Sequence, residues 1–203
     1  MNLELIIATN NESKIEEFGH VFTQNGYKLR TLRDIAVESD PEETGTTYEE
    51  NAIIKAMSVW DATIGSKNIP IIASDCGLEI DALDGQPGLY TKRFACPGMH
   101  IEKVLRMMEN VPPKERTAKL VCALCYIDPW GVTHLIRREV PGRIAESSRG
   151  DHPVWPYNVF IPDGHDITFV EFDEDTRKST THRSLAAADL LSHLVGYHWV
   201  DSK

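Results

Sequence analysis

An acidic residue, Asp75, precedes a basic pair, Lys92 and Arg93, within residues 73–95, ASDCGLEIDALDGQPGLYTKRFA. Carboxylates bind divalent cations and act as bases, and cationic side chains offset the charge that grows on phosphoryl oxygens. This combination suggests metal-assisted phosphate chemistry. On pattern alone, an Asp shortly before a Gly is more often a turn-forming residue, so the rest of the chain has to decide between the two.

A second candidate is Thr9-x-Asn11-x-x-Lys14, which lies between the first predicted strand and the first predicted helix. Unpaired backbone N–H groups and the helix dipole favour an anion at that point, and Lys14 adds a positive charge. The segment lacks the glycines of a Walker loop, and Asn and Ser are also ordinary loop and cap residues. The segment is therefore a phosphate-site candidate whose support depends on other motifs in the chain.

Two of the four cysteines, Cys122 and Cys125, have the spacing of a zinc half-site or a redox motif; the others are Cys76 and Cys96. The pair lies in an apolar run, residues 120–127, that predicts a buried strand. Residues three apart in a strand point to opposite faces, and no second Cys or His pair with ligand spacing follows. The sequence therefore predicts free core cysteines, which suit a reducing compartment.

Local patterns predict the elements that position the first candidates. Residues 3–8 form an apolar strand, residues 9–14 a polar loop, and the spacing of Ile15, Phe18, Val21 and Phe22 predicts a helix. A short strand follows around residues 27–32, and then an acidic, turn-rich segment. Thr47-x-x-Glu50 is a capping box that begins an amphipathic helix. Its apolar face carries Ala52, Ile53, Ala56, Val59 and Trp60.

Around Asp75, residues 71–73 predict a strand, residues 75–77 a turn and residues 78–80 a returning strand. Asp75 is accordingly expected at a strand end.

Farther along, the spacing predicts a helix around residues 100–109, stopped by Pro112 and Pro113. A hairpin of strands 119–127 and 132–138 follows, with a turn at 128–131. The remaining expectations are a short strand at 142–144, a functional loop at 147–164, a final strand at 167–172 and a closing helix with Leu185, Ala186, Leu190, Leu191 and Leu194 inward.

Length and charge narrow the classes of function. A chain of 203 residues is long enough for a sizeable buried core. Its formal net charge of −10 disfavours a nucleic acid polymer as the main partner. No apolar run approaches bilayer length and no basic-then-apolar leader precedes the first strand, so a cytoplasmic protein without a membrane partner is expected.

Taken together, these motifs resemble the inosine and xanthosine triphosphate pyrophosphatases, the ITPase-like family. The similarity runs almost from end to end. It is carried by IIATNNESK (6–14), ETGTTYEENAIIKA (43–56), SDCGLEIDALDGQPGLYTKRFA (74–95), ERTAKLVCALCYIDPWG (115–131), GRIAESSRG (142–150) and THRSLAAADLL (181–191). The resemblance implies one ITPase-like α/β domain over residues 1–203, with an elongated mixed sheet flanked by helices, two lobes around a central active-site cleft, and a homodimer.

The resemblance also implies roles for individual residues. Thr9, Asn11 and Lys14 would hold the triphosphate, and Lys55 would reach a phosphate. Glu43 and Asp75 would bind Mg²⁺, and Asp75 would also activate the attacking water. Lys92 or Arg93 would lie near the substrate, and Cys76 is counted with the substrate-binding residues.

His182 and Arg183 resemble the family's Ser-His-Arg signature, which recognises the oxygen-bearing edge of the purine. Donors aimed at a 6-oxo group would favour hypoxanthine or xanthine over adenine. Taken alone, such a pair before a helix is more often a cap and a surface charge. Arg177 lies in the neighbourhood where the family commonly has a substrate-binding lysine, and it keeps the charge but not the geometry of that lysine.

The chain departs from the family pattern in several places. Gly is common where this chain has Asn10, a second acid where it has Ser74, and Ser or Thr where it has Cys76. The base-recognition loop of the family has Phe-Gly-Tyr or Trp-Asp before Pro, whereas residues 153–162 are PVWPYNVFIP. Either Tyr157 or Asn158 matches the family Asp, so the carboxylate is absent. Trp155 or Tyr157 could stack on a base or simply pack in the loop.

The resulting prediction is a Mg²⁺-dependent pyrophosphatase that hydrolyses ITP, dITP or XTP to the monophosphate and pyrophosphate. Two alternatives stay open. The altered loop is compatible with a different base preference, and Ser74 together with the missing carboxylate is compatible with a nucleotide-binding protein that has lost catalysis.

Overall fold

Strands and helices alternate only in the first part of the chain in the computed structural model, which describes residues 3–63 and 69–198. The strands are β1 (Leu3–Ile7), β2 (Tyr27–Thr31), β3 (Ile71–Ile80), β4 (Pro87–Gly88), β5 (Thr117–Ile127), β6 (Thr133–Ile144) and β7 (Phe160–Pro162). The α-helices are α1 (Glu12–Gln24), α2 (Tyr48–Thr63), α3 (His100–Met107), α4 (Glu174–Thr180) and α5 (His182–His198). None of the helices in these described ranges is long and apolar enough to cross a bilayer.

The strands form one mixed sheet in the order β2-β1-β3-β5-β6-β7, with β4 paired to β3. β1 is parallel to both β2 and β3, whereas β4 is antiparallel to β3 and β7 is antiparallel to β6. The predicted α/β class with a mixed sheet is therefore confirmed.

The chain divides into two compact units. The first unit contains the described residues of 1–75, 122–138 and 183–203, and the second contains residues 76–121 and 139–182. Phe18, Phe22 and Val59 are fully or almost fully buried in the first unit. The second unit has an aromatic core in which Phe160 stacks on Phe169 with ring centroids 5.7 Å apart. The expectation of one domain over residues 1–203 stays a prediction.

Local signals account for the first two helices. The Asn11 side chain caps α1 by accepting a hydrogen bond from the Lys14 backbone N–H. At the start of α2, Thr47 Oγ1 accepts from the Glu50 N–H at 3.1 Å, and Glu50 Oε2 accepts from the Thr47 N–H at 3.2 Å. Glu50 also accepts from the backbone and hydroxyl of Thr46, and these bonds lower its pKa. The predicted capping box is thus confirmed.

The predicted turn at residues 75–77 is wrong, because β3 continues without a break from Ile71 to Ile80. The chain turns later, in a 3₁₀-helix over Asp81–Leu83 followed by two residues with positive φ, Asp84 and Gly85. β3 pairs with β1 near its beginning and with β4 near its end, and these pairings outweigh the local Asp-Gly turn signal. Asp75 consequently lies inside a strand and not at its end.

The last predicted strand, residues 167–172, is also wrong. Phe169–Glu171 forms a 3₁₀-helix in which the Glu171 carboxylate accepts from the backbone and hydroxyl of Thr168. Asp173 then caps α4, which the sequence analysis missed. Side-chain caps hold the backbone here, although the residues themselves favour a strand.

Two further segments are more regular than expected. The short strand predicted at 142–144 is the end of β6. The loop predicted at 147–164 contains a 3₁₀-helix, Trp155–Asn158, and the strand β7. The helix predicted at 100–109 ends at Met107, and the other predicted strands and helices are confirmed within a few residues.

The core-cysteine prediction is confirmed, since Cys122 and Cys125 are fully buried in β5 and none of the four cysteines, all within the described residues, forms a disulfide. Burial raises the pKa of Cys125 to about 12, so its thiol is protonated at neutral pH. We expect iodoacetamide at pH 8 to modify the exposed Cys96 rapidly and to leave both β5 cysteines unmodified until the protein unfolds. Peptide mass spectrometry would measure this, and native labelling of Cys125 at the rate of Cys96 would contradict it.

Candidate active site

The first part of the site lies where β3 runs past the end of β1. The last two residues of β1, Ile6 and Ile7, pair with the beginning of β3. Beyond this point the Ser74 carbonyl accepts a hydrogen bond from Lys14 Nζ at 2.8 Å. This contact places the first-turn lysine of α1 beside the residue that precedes Asp75.

The polar loop between β1 and α1 is organised by its own side chains. Thr9 Oγ1 accepts from the Asn11 N–H at 3.1 Å, and Asn11 Oδ1 accepts from the Lys14 N–H at 3.2 Å. The structure therefore brings together the three residues predicted to hold the triphosphate. They stand at the amino end of a 13-residue helix, whose dipole favours a bound anion.

Asp75 and Glu43 converge on Lys55. Lys55 Nζ lies 2.6 Å from Asp75 Oδ1 and 3.0 Å from Glu43 Oε1. The three side chains are largely buried, with exposed fractions of 17% for Lys55, 22% for Glu43 and 9% for Asp75. Burial by itself would lower the pKa of Lys55, but the two carboxylates outweigh it and raise that pKa. Lys55 is therefore a charged counter-ion for two acids.

Asn51 is a site residue that the sequence analysis missed. Its Nδ2 donates to Asp75 Oδ2 at 3.4 Å, and its Oδ1 accepts from the Gly45 N–H at 2.9 Å. A Cβ on Gly45 would lie 2.6 Å from Asn51 Oδ1, so a glycine allows the loop that carries Glu43 to approach α2. The available signal was spacing, because Asn51 precedes Lys55 by one helical turn and shares its face.

The donor set of this cluster fits a small divalent cation. Carboxylate oxygens from Glu43 and Asp75 both lie within 3.0 Å of one nitrogen, and hard oxygen donors are the ligands that Mg²⁺ prefers. Across residues 3–63 and 69–198, no group of three or more His, Cys, Asp or Glu could hold a metal ion. Mg²⁺ commonly needs fewer protein ligands, since waters and substrate phosphates complete its shell.

Arg183 forms a buried ion pair with Glu17 of α1. The distance from Arg183 Nη1 to Glu17 Oε1 is 2.7 Å, and each side chain is 9% exposed. Glu17 follows Lys14 by one helical turn, so the pair ties Arg183 to the helix that carries the polar loop. Sequence reasoning missed Glu17; the signal was an acid beside Phe18 in the apolar stripe of α1.

We expect Glu17→Gln to destabilise the protein by about 3 kcal/mol, because it removes the carboxylate from a buried guanidinium. Urea unfolding followed by circular dichroism would measure the change in the free energy of unfolding. Glu102→Gln is the matched control, because Glu102 pairs with Arg106 on an exposed helix face. This variant should lower the free energy of unfolding by about 0.5 kcal/mol or less. Equal effects of the two variants would contradict a buried pair.

Three of the residues predicted at the base-recognition end of the site are buried in the second unit. Tyr157, Asn158 and His182 are 1%, 2% and 2% exposed. The Tyr157 ring lies 5.3 Å from that of Phe169 and meets the His182 ring edge-on at 6.3 Å. Tyr157 is thus part of the aromatic core and contacts the predicted base-recognition histidine.

Asn158 is oriented by backbone carbonyls. Its Nδ2 donates to the carbonyl oxygens of Gly150 at 3.2 Å and Arg149 at 3.4 Å. Asn158 Oδ1 and His182 Nδ1 are buried and have no hydrogen-bond partner among the residues that the structure describes. A buried polar atom without a partner is costly, and a bound ligand can supply the missing partner.

The remaining predicted site residues also lie in the second unit. Trp155 begins a 3₁₀-helix and is half-buried, and Cys76 is half-buried in β3. Lys92 and Arg93 are exposed, with the Arg93 guanidinium 5.1 Å from the centre of the Tyr90 ring. Arg177 lies in α4 and donates to the Phe172 carbonyl at 3.4 Å.

Comparison with known proteins places this geometry in context. Residues 5–193 match the model of the Ham1 family. A dITP/XTP pyrophosphatase from Oceanobacillus iheyensis is 38% identical over 193 residues, covering 92% of this chain and 95% of the relative. The enzyme of the same name from Bacillus subtilis is 38% identical over 191 residues, covering 92% and 94%. The solved structure of the Ham1 protein from Staphylococcus aureus has a TM-score of 0.79 and 31% identity, covering 96% of this chain and 99% of the other.

Proposed function

This chain belongs to the Ham1 family, and from that membership we propose that it is a nucleoside triphosphate pyrophosphatase acting on ITP, dITP and XTP. Water attacks the α-phosphorus, the bond from that phosphorus to the α–β bridging oxygen breaks, and the products are the nucleoside monophosphate and pyrophosphate. The observation that best supports this reaction is the convergence of Glu43 and Asp75 on Lys55.

Mg²⁺ is the proposed cofactor, and Glu43 and Asp75 are its proposed ligands. When bound, the ion would lower the pKa of a coordinated water and offset charge on the phosphoryl oxygens. Glu43 lies in the loop that Gly45 and Asn51 hold against α2, and Asp75 is fixed within β3. Two carboxylates fixed on different elements define the position of an ion more narrowly than two on one flexible loop.

The protein groups have distinct proposed roles. Asp75 orients the attacking water and takes a proton from it, and the adjacent Lys55 ammonium favours the ionised carboxylate. Lys14, Thr9 and Asn11 bind the phosphate chain at the amino end of α1, where the helix dipole adds to the positive charge. Lys55 exchanges its contacts with Glu43 and Asp75 for a phosphate oxygen of the substrate, and so stabilises the leaving pyrophosphate.

The unsatisfied atoms of the second unit support recognition of a 6-oxopurine. Such a base presents an acceptor at O6 next to a donor at N1, whereas adenine presents a donor at N6 and an acceptor at N1. Asn158 Oδ1 can accept, and His182 Nδ1 can donate in the tautomer that carries the hydrogen on that nitrogen, which complements the 6-oxo pattern. With adenine, the His182 donor would face the N6 donor and the Asn158 acceptor would face the N1 acceptor. Both buried atoms would then lack a hydrogen bond, which disfavours adenine strongly.

A second candidate function is the same reaction with a changed base preference. The observation that favours it is the amide of Asn158, which stands where the family commonly has a carboxylate and donates to two carbonyl oxygens. A carboxylate there would face those carbonyls and be repelled. Because guanine shares the O6 and N1 pattern of hypoxanthine, GTP is the competitor to test first.

The test is a panel of ITP, dITP, XTP, GTP, ATP and UTP with Mg²⁺, in which monophosphate and pyrophosphate are measured together. We expect kcat/KM for ITP and XTP to exceed that for ATP by about 100-fold or more. Preferred hydrolysis of GTP or UTP would establish the changed preference. Binding of ITP without hydrolysis of any nucleotide would overturn the proposed activity and favour a binding protein.

Two finer properties stay predictions that rest on family resemblance. These are a homodimer and a cytoplasmic location, where nucleoside triphosphates are available. The net charge of −10 weighs against a nucleic acid polymer as a binding partner.

A further inference from the structure

His100, at the start of α3, joins two segments that the sequence analysis assigned separately to the substrate. Its ring stacks on the Trp155 indole, with centroids 5.2 Å apart and an interplanar angle of 23°. Its Nε2 lies 3.1 Å from the Lys92 carbonyl oxygen. Only 8% of His100 is exposed, so the ring is held between these two contacts.

We propose that His100 is a positioning residue that fixes the Trp155 indole, and with it the 3₁₀-helix Trp155–Asn158, for stacking on the substrate base. This inference rests on the proposed nucleotide pyrophosphatase function. It adds to that function a residue that is outside every motif used to recognise the family and that touches no proposed reacting atom.

The anchor of His100 is itself rigid. Lys92 lies in the 3₁₀-helix Thr91–Arg93, and the Thr91 hydroxyl accepts from the Leu78 N–H at 2.9 Å and donates to the Gly88 carbonyl at 2.6 Å. The Lys92 carbonyl is therefore tied to β3 and β4. Because a carbonyl can only accept, the contact with it requires the proton on His100 Nε2.

The contact also defines which face of Trp155 is available. An indole has two faces, and His100 covers one of them, so a base can stack only on the other. Trp155 is half-buried, which agrees with a side chain covered on one side. Pro156 restricts the backbone immediately after the indole, and Tyr157 and Asn158 follow in the same short helix. A displaced indole would therefore disturb the contact with the substrate base.

Two substitutions separate the ring of His100 from its hydrogen bond. His100→Gln keeps an N–H donor for the Lys92 carbonyl and removes the ring, whereas His100→Phe keeps a ring and removes the donor. We expect His100→Gln to raise KM for ITP about 3- to 10-fold with kcat within twofold, the range of one aromatic contact. His100→Phe should restore KM to within twofold of the wild type. His165→Ala, which removes another histidine–aromatic contact from the second unit, should change neither constant.

A double-mutant cycle shows whether His100 acts through Trp155. In a Trp155→Ala background, His100→Gln should raise KM no further. An additional rise of the same size in that background, or a lower kcat with unchanged KM, would overturn the proposal. Should His100→Gln fail to fold by circular dichroism, His100→Phe alone decides, and its KM must match that of the wild type for the proposal to stand.

Fluorescence tests the contact independently of catalysis. The emission of Trp155 is obtained by subtracting the spectrum of Trp155→Phe from that of the wild type, since the chain has four tryptophans. His100→Gln should change this difference spectrum, and an unchanged spectrum would overturn the stacking. If the wild type hydrolyses no triphosphate, the proposed function fails while this measurement still decides whether His100 holds Trp155.

Discussion

Asp75→Asn is expected to lower kcat for ITP by about 1,000-fold or more. The substitution keeps the size and shape of the side chain but removes the charge that would bind Mg²⁺ and take a proton from the attacking water. The Asp75 side chain is 9% exposed and lies within β3, so the asparagine of the variant occupies the same buried position. Pyrophosphate release at saturating ITP and Mg²⁺ measures the effect.

Asp34→Asn is the matched control. Asp34 is an exposed aspartate of the first unit whose carboxylate accepts from the Thr31 backbone and hydroxyl. The control should keep kcat within twofold, which shows that loss of one carboxylate elsewhere is tolerated. Full activity of Asp75→Asn would show that Asp75 is not required for the reaction, even though the chain belongs to the Ham1 family.

Lys55→Met is expected to have two large effects, on activity and on stability. It removes the ammonium that lies within 3.0 Å of both the Glu43 and Asp75 carboxylates, which should lower the free energy of unfolding by about 2–3 kcal/mol in metal-free buffer. The raised pKa of Lys55 means that this stabilisation is fully present at neutral pH and is lost only as the pH rises past 10.5 and through the native value. We also expect kcat for ITP to fall about 100-fold or more, because a phosphate-binding cation is lost.

Added Mg²⁺ should restore much of the lost stability, since the ion replaces the missing positive charge between the two carboxylates. The midpoint of thermal unfolding should consequently rise more with Mg²⁺ in Lys55→Met than in the wild type. An equal rise in both proteins would show that Lys55 and the ion do not share these carboxylates.

Lys119→Met provides an unusually close control for Lys55→Met. Lys119 also lies between two carboxylates, 3.3 Å from Glu79 Oε2 and 3.0 Å from Glu139 Oε2. Its side chain is 35% exposed, twice the fraction of Lys55, so water screens the interaction. We expect this variant to lose no more than about 1 kcal/mol of stability and to keep its activity.

Much of the fold was predictable because its signals are local. The apolar spacing of α1, the Thr47–Glu50 capping box of α2 and the apolar run of β5 each depend on residues close together in sequence. The turn predicted at residues 75–77 failed because pairing of β3 with β1 and β4 is not local. When a strand pairs with one partner near its beginning and with another near its end, no pattern of neighbouring residues in the sequence indicates that the strand is continuous.

The site was predictable in its residue types but not in its connections. Resemblance placed Lys14, Glu43, Lys55 and Asp75 in one site, and the structure brings them together. It could not show that Lys55 bridges the two acids, nor that Arg183 pairs with Glu17, which is 166 positions away. Contacts between distant residues depend on the packed fold, and one sequence taken alone carries no covariation from which to infer them.

The contact of Lys14 with a main-chain oxygen bears on how this site tolerates mutation. Lys14 is held by the carbonyl of Ser74, and every amino acid supplies that carbonyl. The identity of residue 74 can therefore drift without releasing the lysine, provided that β3 stays intact. A chain with an acid at this position would keep the same lysine anchor. The backbone thereby separates the position of Lys14 from changes in the side chain of residue 74.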